Sequence, residues 1–139
     1  MTVKTVALSF QTTGDVHIIN ITPHTAQAVA DSELGAGIVT LFVPGSTAAL
    51  TTIEHESGAL ADFKRLFDEI AAQDRHYQHN ARWNDGNGHS HVRAALLGPS
   101  LSVPFVDGRL LVGTWQQIIF VDFDNRPRQR TVIAQIMGE

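Results

Sequence analysis

Residues 84–98, with the sequence NDGNGHSHVRAALLG, bring together the side chains of this chain that are best suited to chemistry. Asp85, His89, His91 and Arg93 lie close together in a segment rich in glycine and asparagine. A loop that only connects two regular elements needs the glycine and asparagine but not the ionisable side chains. We therefore expect this segment to be the functional site.

The spacing of the histidines indicates a metal ion as one possible ligand. Side chains two residues apart in an extended segment project to the same side, so His89 and His91 could reach one cation. Residues 74–91 show no clear periodicity and are predicted to be irregular. His79, within this stretch, is a natural third ligand, and Asp85 could ligate, orient an imidazole or act as a base. Three protein ligands plus water describe an open catalytic zinc site. The simpler alternative is that these are ordinary surface histidines.

The same segment could also bind an anion. Gly86 and Gly88 free the backbone, and residues 92–97 are predicted to form a short helix that ends at Gly98. Exposed N–H groups at the helix start, with Arg93 on the first turn, would attract a phosphate or carboxylate. The alternative is a capped helix whose Arg93 lies in solvent.

Two further groups of polar residues lie outside this segment. Glu54 closes the strand-like run Thr51-Thr52-Ile53, where its carboxylate could point into a cleft or simply face solvent. The basic cluster formed by Arg126, Arg128 and Arg130 is more typical of a solvated turn than of a phosphate site.

Composition narrows the class of protein. The chain has 139 residues and a formal net charge of -4, which favours one domain and argues against a dedicated nucleic-acid binder. It has no cysteine, so disulfides and thiolate chemistry are excluded. No apolar run approaches the roughly 20 residues needed to span a bilayer. We expect a cytoplasmic protein with no membrane partner.

Apolar spacing predicts the elements that must position the site. Alternation predicts strands at residues 6–10, 38–43 and 49–53, a strand that ends near Ile21, and nearly continuous β-structure from Leu101 onward. Thr22 and Pro23 open a first helix, and apolar residues at helical spacing predict a second over residues 58–73. Asp107-Gly108 and Asp124-Asn125 are expected to turn two hairpins. The prediction is an α+β fold: one β-rich, sandwich-like domain over residues 1–139, with antiparallel sheets and two to three helices.

The stretch around Trp115 is expected to take part in self-association. The Trp115-Gln116-Gln117 sequence places a large aromatic and two amides on a predicted strand, and Gly113 permits close backbone approach. Burial of Trp115 in the core is the alternative.

Four segments carry a resemblance to a known family. The segments GSTAALTTIE (45–54), DGNGHSHVRAALLGPS (85–100), VPFVDGRLLVGTWQQI (103–118) and DNRPRQR (124–130) resemble the signatures of the YjbQ family. The likeness covers essentially the whole chain. It implies a homotrimer and a polar cluster formed by Glu54, His79, His91 and Gln116.

The resemblance also implies an activity. Members of the family are described as secondary thiamine-phosphate synthases, which join a pyrimidine diphosphate to a thiazole phosphate. In that reaction a divalent ion and Arg93 would stabilise the departing diphosphate. Zinc is the preferred ion, and magnesium is the alternative with a diphosphate substrate.

Two other functions remain open at this point. One is a zinc-dependent hydrolase with His79, His89 and His91 as ligands and Glu54 or Asp85 as the base that activates metal-bound water. The other is a non-catalytic trimeric module that binds a small anion or metal ion. Metal content separates the first from the rest, and turnover of a phosphorylated substrate separates both enzymes from the module.

Overall fold

The computed structural model of the protein describes all 139 residues, which form eight strands and four helices. No helix is long and apolar enough to cross a membrane. In chain order the elements are β1 (Thr2–Thr12), β2 (His17–Asn20), α1 (Thr22–Asp31), β3 (Ala36–Phe42), β4 (Ala48–Ile53), α2 (Ser57–Ile70), α3 (Gln78–Trp83), α4 (Gly88–Leu97), β5 (Ser100–Val106), β6 (Arg109–Leu110), β7 (Gln117–Asp122) and β8 (Arg128–Gly138).

The strands form two antiparallel sheets. The larger, five-stranded sheet has the order β1-β8-β3-β5-β6, and the smaller, three-stranded sheet has the order β2-β7-β4. All neighbouring strands pair antiparallel. The predicted α+β class with antiparallel sheets is confirmed, with four helices instead of two to three.

Strand β7 lies at the centre of the molecule because both of its faces are covered. Ile118 and Phe120 pack towards the five-stranded sheet, whereas Ile119 and Val121 pack against α2 and α4. All four side chains are 0% exposed. An uninterrupted apolar run of this kind is typical of a strand buried on both faces. The result is three layers, formed by the large sheet, the small sheet, and helices α2 and α4. Helix α1 instead packs into the core between the two sheets.

The Asp107-Gly108 hairpin is confirmed, but the hairpin predicted at Asp124-Asn125 is wrong. The first turn joins β5 to β6, with both residues in the left-handed region. The second turn joins β7 to β8, which belong to different sheets. The chain therefore crosses from one layer to the other at Asp124, because Asp122 and Asp124 pair with Arg130 of β8 across the layers.

Two stretches differ in secondary structure from the prediction. The segment expected to be irregular over residues 74–91 contains α3 and the start of α4. The strand expected at Trp115 is a turn, and β7 begins only at Gln117. Trp115 is 73% exposed, so the alternative that it lies in the core is excluded.

Arg93 ties α4 to the end of α2. Its side chain is 3% exposed and lies 6.0 Å from the ring centroids of Phe67 and Phe123. Its Nε donates to the carbonyl of Ala71, the residue that caps the C-terminus of α2, at 2.9 Å. Nη2 lies 3.2 Å from Asp68 Oδ1. The expected position, exposed on the first turn of a helix, is wrong: Arg93 fills the space between two helices.

A buried network of charges joins the two sheets where β7 ends. Asp122 and Asp124 are 0% and 1% exposed. Arg130 Nε donates to Asp122 Oδ2 at 2.8 Å, and its Nη2 lies 3.3 Å from Asp124 Oδ2. Thr12 and Thr47 add hydroxyl donors to the two carboxylates. Burial alone would raise the pKa of Asp124, but the bond from Thr47 and the nearby Arg128 hold it below its ordinary value.

The position of Arg93 generates a stability prediction. We expect Arg93→Ala to lower the free energy of unfolding by about 2–4 kcal/mol. The carbonyl of Ala71 loses its hydrogen-bond donor, and the space between α2 and α4 is no longer filled by a side chain. Arg65→Ala, which removes an exposed guanidinium from α2, should cost less than about 1 kcal/mol. Urea denaturation measures both. Equal stability of Arg93→Ala and wild type would contradict the structural role.

The carboxylate of Asp124 generates a pH prediction. Its folded-state pKa lies below the ordinary value of 3.8, so the ionised group stabilises the fold above that pH. This contribution is lost as the pH falls through the lowered pKa. Wild type should therefore have a higher free energy of unfolding than Asp124→Asn. This stability gap should be constant from about pH 7 to about pH 5 and shrink below about pH 4.

Urea denaturation across this range measures the gap, with Asp74→Asn as an exposed control that should follow wild type throughout. A gap for Asp124→Asn that is absent, or that does not change in acid, would show that the carboxylate charge does not stabilise the fold.

Candidate functional site

A short turn between α3 and α4 brings the starts of the two helices together. Asn84 and Gly86 adopt left-handed conformations, with φ of 54° and 64°. The amide side chain of Asn80 accepts from the N–H of Gly88 at 2.8 Å, which satisfies one free donor at the start of α4. Gly88 is required here, because a Cβ atom would lie 2.6 Å from the Cβ of Tyr77.

This arrangement brings together His79, His91 and Asp85. The rings of His79, on α3, and His91, on α4, have centroids 4.3 Å apart and are tilted by 40°. Asp85 Oδ1 lies 3.3 Å from His79 Nδ1, although without the angle of a hydrogen bond. Two imidazoles and a carboxylate in contact can bind and transfer a proton at a reacting atom.

His91 faces a small cleft between α4 and the loop that follows β3. The cleft has a volume of about 220 Å³ and is lined by Ser46, Pro99 and small side chains beside His91. Burial, followed by the nearby His79, holds the pKa of His91 below its ordinary value. The ring of His91 is therefore neutral near neutral pH and can accept a proton.

His89 does not join the pair. Residues 88–91 are helical instead of extended, so His89 and His91 point about 200° apart around α4. His89 is 1% exposed, its Nε2 lies 3.4 Å from Ser90 Oγ, and its Nδ1 is buried without a partner. Burial, and then the charge of Arg93, lowers its pKa. The premise that both side chains project to one side is wrong.

The metal-ligating side chains of one chain do not form the three-ligand zinc site that the sequence predicts. No group of three or more His, Cys, Asp or Glu side chains is arranged to hold a metal ion. His79 and His91 supply two imidazoles, and a bound ion would need a further ligand from outside this set. Metal binding stays a prediction from the sequence, and proton transfer by the two imidazoles does not depend on it.

Glu54 and Gln116 lie at the opposite end of the small sheet from the histidines. Ile53 pairs with Gln117 at that end, and both Glu54 and Gln116 are exposed. Gln116 donates to Thr52 Oγ1 at 3.2 Å and accepts from the N–H of Gly113 at 3.0 Å. One chain therefore does not assemble the four-residue cluster that the resemblance implies, and the catalytic roles of Glu54, Gln116 and Arg93 stay predictions.

Sequence reasoning missed the residues that fix α4 in place. Asn87 Oδ1 accepts from the N–H of Asn125 at 3.2 Å, and Ser90 Oγ donates to the carbonyl of Phe123 at 2.6 Å. These bonds join the start of α4 to the crossover after β7. The available signal was the pair Asp122 and Asp124, two acids with a spacing of two at the end of an apolar strand.

Comparison with known proteins agrees with the sequence resemblance. The family model described as UPF0047 protein YjbQ-like matches residues 6–139. A UPF0047 protein of Methanothermobacter thermautotrophicus is 36% identical over 139 residues, which cover 100% of this chain and 95% of that protein. The UPF0047 protein YugU of Bacillus subtilis is 31% identical, with 94% of this chain and 97% of that protein covered.

Solved structures share the same fold. The crystal structure of a YbjQ-like protein of unknown function from Sulfolobus solfataricus is 31% identical and superposes with a TM-score of 0.89, covering 99% of this chain and 100% of that chain. A hypothetical protein from Aeropyrum pernix gives a TM-score of 0.90 at 29% identity, with 98% and 99% covered. On these sequence and structural matches, the chain belongs to the UPF0047 (YjbQ-like) family.

Proposed function

We propose that this protein is an enzyme that acts on a small phosphorylated substrate, with His79 and His91 transferring a proton at the reacting atoms. Asp85 orients His79. The observation that carries the proposal is the contact of the two imidazole rings, whose centroids are 4.3 Å apart, beside the carboxylate of Asp85. Asp85 also lines a cavity at the start of α4 in which every lining residue is polar or charged. General acid–base groups of this kind typically accelerate a reaction by about 10²–10⁴-fold.

The specific reaction we propose is thiamine-phosphate synthesis, which the family resemblance implies. The ring nitrogen of the thiazole phosphate would attack the methylene carbon of the pyrimidine diphosphate. The bond from that carbon to the diphosphate oxygen breaks, and its electron pair leaves with the diphosphate. When the imidazole pair holds a proton, it could donate that proton to a diphosphate oxygen. This transfer, and positive charge near the diphosphate, would stabilise the leaving group.

Genetic rescue tests the reaction. Expression of the wild-type chain in a thiamine auxotroph that lacks its main synthase should restore growth. His91→Asn should abolish rescue and lower product formation by purified protein by about 100-fold, because the proton-transferring ring is lost while a polar side chain remains. His55→Ala, a change at an exposed histidine outside the site, should behave like wild type.

Two results would contradict the assignment. Rescue by folded His91→Asn equal to wild type would remove the imidazole pair from the mechanism, and the absence of turnover by wild type would favour the non-catalytic module. Elemental analysis of the same preparations, purified without chelator, tests the predicted zinc. About one ion per chain, lost in His91→Asn, would support it, and metal-free active protein would refute it.

We also propose that the chain assembles as a homotrimer, and the outer face of the five-stranded sheet supports this. Sheet faces that lie in water usually carry charged side chains among their polar ones. None of those on the four longer strands is charged; they are Val3, Thr5, Ala7, Ser9, Gln11, Ala36, Ile38, Thr40, Phe42, Ser100, Ser102, Pro104, Val106, Gln129, Thr131, Ile133, Gln135 and Met137. Ile38 and Phe42 are 50% and 45% exposed.

Light scattering tests the assembly. Wild type should have the mass of a trimer, and Phe42→Arg should shift the mass towards a monomer because the charge cannot be desolvated in an apolar contact. Leu66→Arg, at an exposed apolar position on α2, should leave the mass unchanged. A wild-type monomer at all concentrations would overturn the proposal.

A further inference from the structure

A cavity with a wholly polar lining lies between the start of α4 and the crossover from β7 to β8. Its volume is about 380 Å³, and no apolar side chain lines it. The lining residues are Asp85, Asn87, Asn125, Arg126 and Arg128. The two arginines and two asparagines of this lining supply hydrogen-bond donors that suit an anion.

The three arginines of the basic cluster differ in how many of their donors are already used. Arg130 is occupied by Asp122, Asp124 and Thr47. Arg128 uses only Nε, which donates to Asp124 Oδ2 at 3.2 Å, and both of its terminal nitrogens remain free. Arg126 is exposed and makes no hydrogen bond or ion pair within the chain. Since Asp122 and Asp124 balance the charges of Arg128 and Arg130, Arg126 contributes unmatched positive charge.

The backbone that presents these arginines is held rigidly. Asp15 N–H donates to the carbonyl of Asp124 at 2.7 Å, and a Cβ atom on Gly14 would lie 2.7 Å from the carbonyl oxygens of Asp124 and Arg126. Val16 adopts φ of 62°, which is costly for a β-branched residue. The β1–β2 turn is therefore packed tightly against the crossover and fixes the direction in which it presents Arg126.

The remaining lining residues are also fixed. Asn125 Nδ2 donates to the carbonyl of Asp85 at 2.9 Å. The single lining carboxylate, Asp85, accepts from the N–H of Asn87 at 3.2 Å and lies 3.3 Å from His79 Nδ1. The Asp85 carboxylate thus has a backbone donor in Asn87, and its contact with His79 connects the cavity to the imidazole pair.

We propose that Arg126 and Arg128 form a phosphate subsite that holds the phosphate or diphosphate group of the substrate beside His79 and His91. Two guanidinium groups can each present paired N–H donors to phosphate oxygens, and the cavity has room for a diphosphate. That the bound group belongs to the substrate rests on the proposed function, whereas anion binding at the cavity does not. The subsite takes the role that the sequence assigned to Arg93, whose donors the structure directs to α2.

Calorimetric titration of the full chain with inorganic pyrophosphate, and separately with inorganic phosphate, tests the subsite. Arg126→Ala should weaken pyrophosphate binding by about tenfold or more, and Arg126→Lys should have an intermediate effect because it keeps the charge but loses the paired donors. Arg109→Ala, which lies on a different groove, should bind like wild type. Since Arg126 has no contact to lose, these variants should fold normally.

The possible results separate this inference from the proposed function. Loss of pyrophosphate binding in Arg126→Ala, with binding retained in His91→Asn, supports the subsite whether or not turnover is found. Equal affinity of Arg126→Ala and wild type, or no binding by wild type at millimolar pyrophosphate, overturns the subsite. Turnover that depends on His91, together with equal pyrophosphate affinity of Arg126→Ala and wild type, would leave the proposed function standing and remove the subsite.

Discussion

The pairing of Asp122 and Asp124 with Arg130 is the interaction on which the geometry of the site depends. Both carboxylates are almost fully buried between the sheets, and removing one partner of a buried charge pair typically costs about 3–5 kcal/mol. The pairing fixes the place where the chain leaves the small sheet and enters the large one. This crossover therefore determines the positions of the residues that follow it, namely Asn125, Arg126 and Arg128.

The crossover also sets the position of the histidines. Asn125 holds Asn87 at the start of α4, and the carbonyl of Phe123 holds Ser90 one turn further on. His91 is therefore placed by bonds to the same segment that presents Arg126. The imidazole pair and the polar cavity share one support, which keeps a proton-transferring group and an anion-binding group at a constant separation.

Local patterns in the sequence predicted most helices and strands. They could not predict which sheet a strand joins, because that depends on contacts between residues far apart in the chain. The helical spacing of Phe63 and Phe67 was sufficient to predict α2. The residues of β7 were predicted only as part of the β-structure after Leu101, so the central position of this strand was not predicted. Asp124-Asn125 has the composition of a hairpin turn, but the buried ion pairs direct the next strand into the other sheet.

The residues of the site were harder to predict from the sequence. Residue type does not distinguish Arg93 from Arg126, because tertiary packing decides which arginine is buried against α2 and which is exposed at a cavity. His79 and His91 lie together, as the predicted metal site requires, whereas His89 points elsewhere because residues 88–91 are helical. Metal binding by these residues stays a prediction.

A crystal structure of the wild-type chain grown with inorganic pyrophosphate would show whether the crossover after β7 holds an anion beside the imidazole pair. We expect pyrophosphate bound by the guanidinium groups of Arg126 and Arg128, within reach of His79. Pyrophosphate bound elsewhere, for example in the groove between α1 and β6, with the Arg126–Arg128 cavity filled only by water, would contradict it.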